Sequence, residues 1–349
     1  MARVPPTTPE TVVDVVTDRR EWDALVESLG GHPLQLWGWG EVKATGAWRP
    51  HRLRVRVGDR PVGAAQVLVR RLPLPFRALS HVPRGPAVAP ADPTAPVGHG
   101  VGDEALRAAV GGAVVEWCRA NVGGVGVSLE PDWPEGTPLP LPGARPGPQR
   151  ILHPVTLVMD LTRTPDELLA GMGRTTRADV RKGGRDVEIR RVRTEDEVRA
   201  VLDVYRDTAA HAGFALHADD YYLAVHRELG DASLLVAAFR DGRPCSFVWN
   251  AVSATTAFEL YGGVDEVGRK ARANAPVKWH AMRLAQDAGL RRYDMNGLLN
   301  DGISAFKRSF AEHEDRLVGT LDVPFSWLYP VWVRAVPWAK RVLRTLRRR

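Results

Sequence analysis

The chain has 349 residues, 44% of them hydrophobic, with 48 Lys plus Arg against 41 Asp plus Glu and a formal net charge of +7. That length and apolar content point to a globular protein able to fill two ordinary cores. Cys118 and Cys245 lack paired spacing and the ten histidines are scattered, which excludes a disulfide scaffold and a zinc site.

Reduced thiols, no metal and no cofactor are therefore expected, in a cytoplasmic protein. The first thirty residues contain charges and no apolar h-region, and nowhere do about 18 apolar residues run together. Neither a secretory signal nor a membrane span is expected.

In chain order, Thr11 to Val16 alternates like a strand, and Asp18 with Glu21 forms a capping box for a helix reaching Leu29. A compact aromatic segment, Gln35-Leu-Trp-Gly-Trp-Gly-Glu-Val-Lys43, follows. Leu53 to Val57, a Gly58-Asp-Arg-Pro61 turn and Val62 to Val69 make a hairpin. A strand near Ala78 to Val82, a helix from about Asp103 to Asn121 and a strand at Val125 to Leu129 complete this half. Residues 131–148 hold seven prolines, which marks a linker or an irregular crossing.

The order then repeats. Val155 to Leu161 reads as a strand, and Thr164-Pro-Asp-Glu167 is a strong helix start. Thr194 to Glu197 caps a helix that carries Val198, Val201, Leu202 and Tyr205 on one face and ends near Gly213. Ser233 to Phe239, an Arg240-Asp-Gly-Arg243 turn and Ser246 to Val252 form a second hairpin, with Ala257 to Tyr261 as a third strand. A helix from about Asn274 stops at Gly289. Leu290 to Phe310 then reads as a short strand carrying Tyr293, Asp294 and Met295, a loop, and a helical segment in which Phe306 and Phe310 anchor one face and hold Lys307 at the rim. The repeated order implies an internal duplication: two α/β (α+β) domains side by side with a cleft between them. The expected division is 1–150, with 131–150 as linker, then 151–322, then a tail of 323–349.

Charge is unevenly placed. Arg334, Lys340, Arg341, Arg344, Arg347, Arg348 and Arg349 are seven cations with no acid after Asp322, so 7 − 7 leaves the first 322 residues near zero. The tail interleaves them with Trp327, Tyr329, Trp332 and Trp338, a mixture that suits an anionic membrane surface or packing back on the first domain. The helix expected after Thr164 carries Arg174, Arg177, Arg181 and Arg185, which fall within roughly 80° of one another at helical spacing and form a ridge suited to phosphate. Only six of the 48 basic residues are lysines, Lys43, Lys182, Lys270, Lys278, Lys307 and Lys340, leaving 42 arginines. A lysine retained against that bias, such as Lys307 beside the strand end, is a candidate for a fixed compact cation. No nucleophile constellation, Walker motif or dinucleotide glycine motif is present. An enzyme of this sequence therefore joins groups that arrive activated.

The segments around Trp39 and Lys43, Asp160 to Lys182 with Arg177 and Arg181, His217-x-x-x-Tyr221-Tyr222, Tyr261-Gly-Gly263, Tyr293-Asp294-x-x-Gly297 and Phe306-Lys307-Arg-Ser-Phe310 together resemble the Fem family of peptidoglycan interpeptide-bridge aminoacyltransferases. The resemblance spans about residues 35–325 in order. It implies two tandem GNAT-like (acyl-CoA N-acyltransferase-like) domains. It also implies transfer of an amino acid from aminoacyl-tRNA to an amine of a lipid-linked or nucleotide-linked muropeptide precursor. Under it, Lys307 stabilises the reaction centre and Lys43 contacts precursor phosphates; Trp39, Arg177, Arg181, Tyr222, Tyr261 and Tyr293 become substrate-binding candidates, and Asp294, at the strand end, is a candidate proton acceptor for such a reaction. The chain departs from the family pattern at His211, where an arginine is common, at Gly183-Gly184, at Ala311-Glu312, and in lacking a long helical-hairpin arm.

Two other functions fit parts of the sequence. An acyl-CoA-dependent N-acyltransferase, or a tRNA-dependent ligase of secondary metabolism, would use the same fold, although Arg269 to Ala275 lacks the glycine turn that cradles a pyrophosphate. A non-enzymatic membrane-surface or nucleic-acid adaptor would use the tail and the arginine ridge.

Overall fold

Caps, turn glycines and strand alternation place the elements close to where the sequence puts them. The computed structural model describes residues 10–90, 104–139, 141–148, 151–299 and 301–335. The chain divides into two compact units, one of Met1–Gly31, Gly46–Pro154 and Leu317–Arg349 and the other of His32–Thr45 and Val155–Arg316.

In the first unit, Asp18 accepts the Glu21 amide at 2.8 Å and starts the Arg19–Ser28 helix, which buries Trp22, Leu25 and Val26. The sheet runs Val12–Val15, Trp48–Val57, Arg60–Arg71, Ala78–Pro83, Gly126–Glu130, Leu321–Pro324, Arg145–Pro146, with Ala87–Val88 paired to Arg60–Arg71. Gly58, at φ +57°, makes the tight turn of the long hairpin without the Cβ cost another residue would meet. Ala78–Pro83 and Gly126–Glu130 are parallel, and the Glu104–Asn121 helix lies between them in the chain. Its Val110, Val114 and Cys118 fill the core with Leu53, Val55, Val67 and Leu129.

The proline-rich stretch is more than a linker. Trp133 and Leu141 are buried in this core, and Arg145–Pro146 pairs with Leu321–Asp322, because a strand edge accepts proline where a ladder interior would not. Part of the tail belongs here as well. Tyr329 is buried with its hydroxyl donated to Asp322 and the Arg145 guanidinium 4.3 Å from its ring centroid, and Trp332 meets Phe76 at 5.3 Å. Trp327 stays 82% exposed. Trp338 and the six cations from Lys340 onward lie outside the described residues.

The second unit repeats this plan. Its sheet runs Glu188–Arg191, Ser233–Arg240, Arg243–Val252, Thr256–Val264, Arg292–Asp294, Val158–Asp160. The parallel pair, Thr256–Val264 with Arg292–Asp294, is again separated in the chain by a helix, Asn274–Asp287, stopped before Gly289 at φ +84°. Each unit thus places a parallel pair after an antiparallel hairpin, as the duplicated sequence order predicts. The segment expected as one strand from Val155 to Leu161 is two, Val155–Thr156 and Val158–Asp160. Leu157 interrupts them, its side chain buried and its carbonyl accepting from the Met295 amide at 2.9 Å.

The helix after Thr164 is likewise two, Pro165–Ala170 and Arg174–Lys182. Gly171, buried Met172 and Gly173 form the break, and the Gly173 amide is spent on Ser309 O at 2.9 Å. Arg185 follows Gly183 and Gly184, the latter at φ +67°, so the ridge on the helix is Arg174, Arg177 and Arg181. The aromatic segment near Trp39 is a helix, Trp37–Ala44, packed in this unit against Asp219–Leu229. At Gly38 a Cβ would lie 2.2 Å from Glu228 O, so the Trp-Gly-Trp-Gly pattern permits the two backbones to meet.

Candidate active site

Beyond Phe258 and Asp294 the parallel strands part: Thr256–Val264 continues while Arg292–Asp294 ends. Register shifts where Trp249 faces Tyr261 and Asn250 faces Glu259, leaving Leu260 as the extra residue of a bulge. Bulges re-aim side chains, and here Glu259 and Tyr261 both reach a cavity of about 720 Å³ in the second unit. Its lining includes Tyr205, Phe214, Phe247 and Tyr261 together with Asn296, Gly297, Ser304 and Lys307.

Lys307 arrives from the Gly302–Arg308 helix, whose N-cap Asp301 accepts the Ser304 amide at 2.8 Å. Phe310 is fully buried and Phe306 packs on it at 5.3 Å between centroids, the anchoring expected from their spacing. Lys307 itself is more enclosed than a rim residue, at 9% exposure. The reason is its partners: Nζ donates to Met295 O at 2.6 Å and to Asn296 O at 3.3 Å. Glu259 Oε1 lies at 3.8 Å, an ion-pair contact beyond hydrogen-bond length, so one of three ammonium donors makes no hydrogen bond at the cavity wall. Asn296, at φ +57°, bridges the parted strands by donating Nδ2 to Glu259 O at 3.1 Å.

Asp294 is fully buried and absent from the cavity lining. It accepts from the Thr156 hydroxyl and, at 2.7 Å, from the Asn296 amide. Its position suits holding the 295–297 loop rather than meeting a substrate. Tyr293 is buried behind the wall, its hydroxyl 3.5 Å from Glu259 Oε2, and burial, followed by Glu259, pushes that hydroxyl well above the usual phenol range.

Lys43 donates to the Tyr221 hydroxyl at 2.8 Å and sits 4.2 Å from the Trp39 ring centroid. His217 stacks on Tyr221 at 4.1 Å, and burial, then Lys43, lowers its imidazole from the ordinary value. Tyr222 is buried, accepts the His217 amide at 3.1 Å and packs on Tyr205 and Tyr261. Burial raises the Tyr261 hydroxyl well above its ordinary value, with Tyr221 adding to it. Lys43, Trp39, Tyr222 and Tyr261 therefore gather in one aromatic cluster reaching the cavity wall. Arg177 and Arg181 do not line the cavity: Arg177 donates to Ala170 O at 3.1 Å, and Arg181 is exposed.

Sequence reasoning missed Glu259 and Lys278. Lys278, on the Asn274–Asp287 helix, is 3% exposed and 2.5 Å from Glu259 Oε2. Burial lowers its ammonium, Glu259 opposes the shift and Lys307 adds to it. The one available signal was the scarcity of lysine in this chain.

An Acetyltransferase (GNAT) domain model matches residues 172–308. FemX is similar in structure with a TM-score of 0.78 at 17% identity, over 94% of this chain and 99% of that one. A domain assigned to a lysylphosphatidylglycerol synthetase from Agrobacterium fabrum is similar at TM-score 0.55, 13% identity, 93% and 97% coverage. L-PGS from Bacillus licheniformis is similar at 0.52, 12% identity, 91% and 95%. No curated protein matches by sequence. The chain therefore has the Fem-like tandem acetyltransferase fold.

Proposed function

We propose that this chain is an aminoacyltransferase that moves an amino acid from aminoacyl-tRNA to an amine of a peptidoglycan precursor, in building an interpeptide bridge of the cell wall. The observation that carries the proposal is Lys307: a buried ammonium in the splay of two parallel strands, with one donor making no hydrogen bond at a cavity wall. The fold shared with FemX over nearly the whole chain supports it.

The donor ester is already activated, which fits a chain without an evident nucleophile. A neutral amine held about 3–3.5 Å from the ester carbonyl adds to the carbon, and the carbonyl oxygen becomes an oxyanion that the third Lys307 donor stabilises. Collapse breaks the bond to the ribose oxygen, which gains a proton as the attacking nitrogen loses one. In this proposal Asp294 positions the 295–297 loop. Lys43, on its bed of Trp39 and Tyr221, and the ridge of Arg177 and Arg181 take phosphates, and Tyr222, Tyr261 and Tyr293 shape the wall.

The test is transfer by the purified chain from charged tRNA to a nucleotide-linked muropeptide, read by mass spectrometry. Product formation supports the proposal. Acetyl-CoA binding by calorimetry together with no shift of charged tRNA would favour the acyl-CoA enzyme, and a chain with neither activity that binds only polyanions would be an adaptor.

A further inference from the structure

Glu259 is a carboxylate at 6% exposure in the wall of a binding cavity, and a lone buried charge of that kind is not tolerated without partners. Two ammonium groups meet it from different elements. Lys278 takes Oε2 at 2.5 Å and Lys307 stands 3.8 Å from Oε1. Other polar groups near this trio include the Tyr293 hydroxyl at 3.5 Å from Oε2, the Met295 and Asn296 carbonyls, and Asp301 at the start of the Lys307 helix. Arg308, next along that helix, is occupied by Glu314 at 2.5 Å and Leu299 O at 3.0 Å.

A closed circuit runs through these contacts. Lys307 donates to Asn296 O, the Asn296 amide group donates to Glu259 O, and the Glu259 carboxylate faces Lys307. Were Lys278 absent, Glu259 would cancel the charge of Lys307; with it, two cations and one anion leave a single positive charge at the wall.

We infer that Glu259 is a positioning residue for Lys307: its carboxylate, with Lys278 pairing off the far oxygen, fixes the Lys307 ammonium against the 295–297 loop and leaves the trio one net positive charge. The inference rests on the aminoacyltransferase reading for its catalytic consequence but not for its geometry.

Only six lysines are present, so full-length protein labelled with 13C at the lysine ε-carbon gives six resolvable signals, assigned for Lys278 and Lys307 by their loss in Lys278→Met and Lys307→Met. In Glu259→Gln the Lys307 signal is expected to move toward that of Lys270, whose side chain is 73% exposed. The titration midpoint of Lys278 falls in Glu259→Gln, because the anion that holds its proton is gone. It rises in Lys307→Met, because a repelling cation is gone. A Lys307 signal unmoved by Glu259→Gln, or a Lys278 midpoint unmoved by Lys307→Met, overturns the inference, and the second arm decides it should Glu259→Gln not fold. With charged tRNA and a nucleotide-linked muropeptide, the single-turnover rate constant of Glu259→Gln is expected to fall up to about a hundredfold at unchanged donor affinity. An unchanged rate constant overturns the positioning role. An unaltered protein that transfers nothing refutes the aminoacyltransferase reading instead and leaves the spectra to decide this one.

Discussion

Each unit buries one glutamate beside its sheet, and the two are answered in opposite ways. In the first, Glu130 accepts from His81 Nε2 at 2.9 Å, the Thr320 hydroxyl at 2.7 Å and the Ile151 amide at 2.9 Å. Burial alone would raise its carboxyl, but His81 and these donors outweigh burial and hold it at about 2. Through it the Ala78–Pro83 and Gly126–Glu130 strands are tied to the chain at Ile151 and at Thr320, just before the Leu321–Pro324 strand. In the second, Glu259 meets two ammonium groups at the wall of a cavity. A carboxylate satisfied by fixed hydrogen bonds is a clamp. One that leaves a surplus cation beside open space is, under the proposed function, an arrangement for chemistry.

The largest effect expected of that contrast is on transfer. Lys307→Ala should lower the rate constant of bound substrates by about 10²- to 10³-fold, the ~2.7–4 kcal/mol of a lost oxyanion donor. Because Met295 O and Asn296 O lose their donor, the variant is also less stable, by about 1–3 kcal/mol. Single-turnover rates should be read well below its melting temperature. A near-normal rate there would remove the chemical distinction between the units.

Glu130 should behave as its opposite. Its carboxyl is held at about 2, against 4.5 for a free glutamate, so the stabilisation is complete above the unfolded value and is lost as pH falls from near 4.5 toward 2. At 1.36 kcal/mol per unit this is on the order of 3 kcal/mol. Glu130→Gln should therefore melt lower at pH 7 and lose less stability on acidification than the unaltered protein, with transfer per folded molecule unchanged. A loss of rate in folded Glu130→Gln would show that the first unit shares in the chemistry.

The two glutamates also mark what the sequence made legible. The caps at Asp18, Thr164 and Thr194 and the Phe306–Phe310 anchor were readable because each is set by neighbours a few residues apart, and the duplication because such local signals recur in the same order in both halves. The break at Gly171 to Gly173 was not, since it depends on Ser309 far along the chain. Lys307 was found, but its enclosure was not, because the carbonyls that hold it belong to a loop eleven and twelve residues away whose path depends on Asp294 and Asn296. Glu259 and Lys278 are 19 residues apart and meet only through tertiary packing, so neither looked different from a solvated charge.

The ridge sharpens the contrast from the outside of the second unit. Changing Arg177 and Arg181 together to Gln should weaken binding of charged tRNA or precursor roughly ten- to a hundredfold, at about 1.5–3 kcal/mol for a charged hydrogen bond and less where exposed. It should also flatten the dependence of log affinity on log salt by up to about 1.4–1.8, for two phosphates lost. Equal slopes would identify the ridge as a solvated face.

The smallest effect concerns the tail. Tyr329 and Trp332 pack within the first unit through Asp322, Arg145 and Phe76, so removing everything after 325 would damage that unit and confuse anchoring with folding. The informative truncation is after residue 335, which takes Trp338 and the six cations from Lys340 onward and leaves the buried tyrosine in place. No helix among the described residues is long and apolar enough to cross a membrane, so a peripheral role for the tail rests on charge. At ~1 kcal/mol per basic residue near an anionic leaflet, reduced by screening at physiological salt and by the cost of ordering the chain, about a tenfold loss of co-sedimentation with anionic vesicles is expected. Transfer to a soluble nucleotide-linked precursor should be untouched. Equal pelleting of the two proteins would leave the cations without a membrane role, whereas loss of transfer to the soluble precursor would assign residues 336–349 to substrate binding.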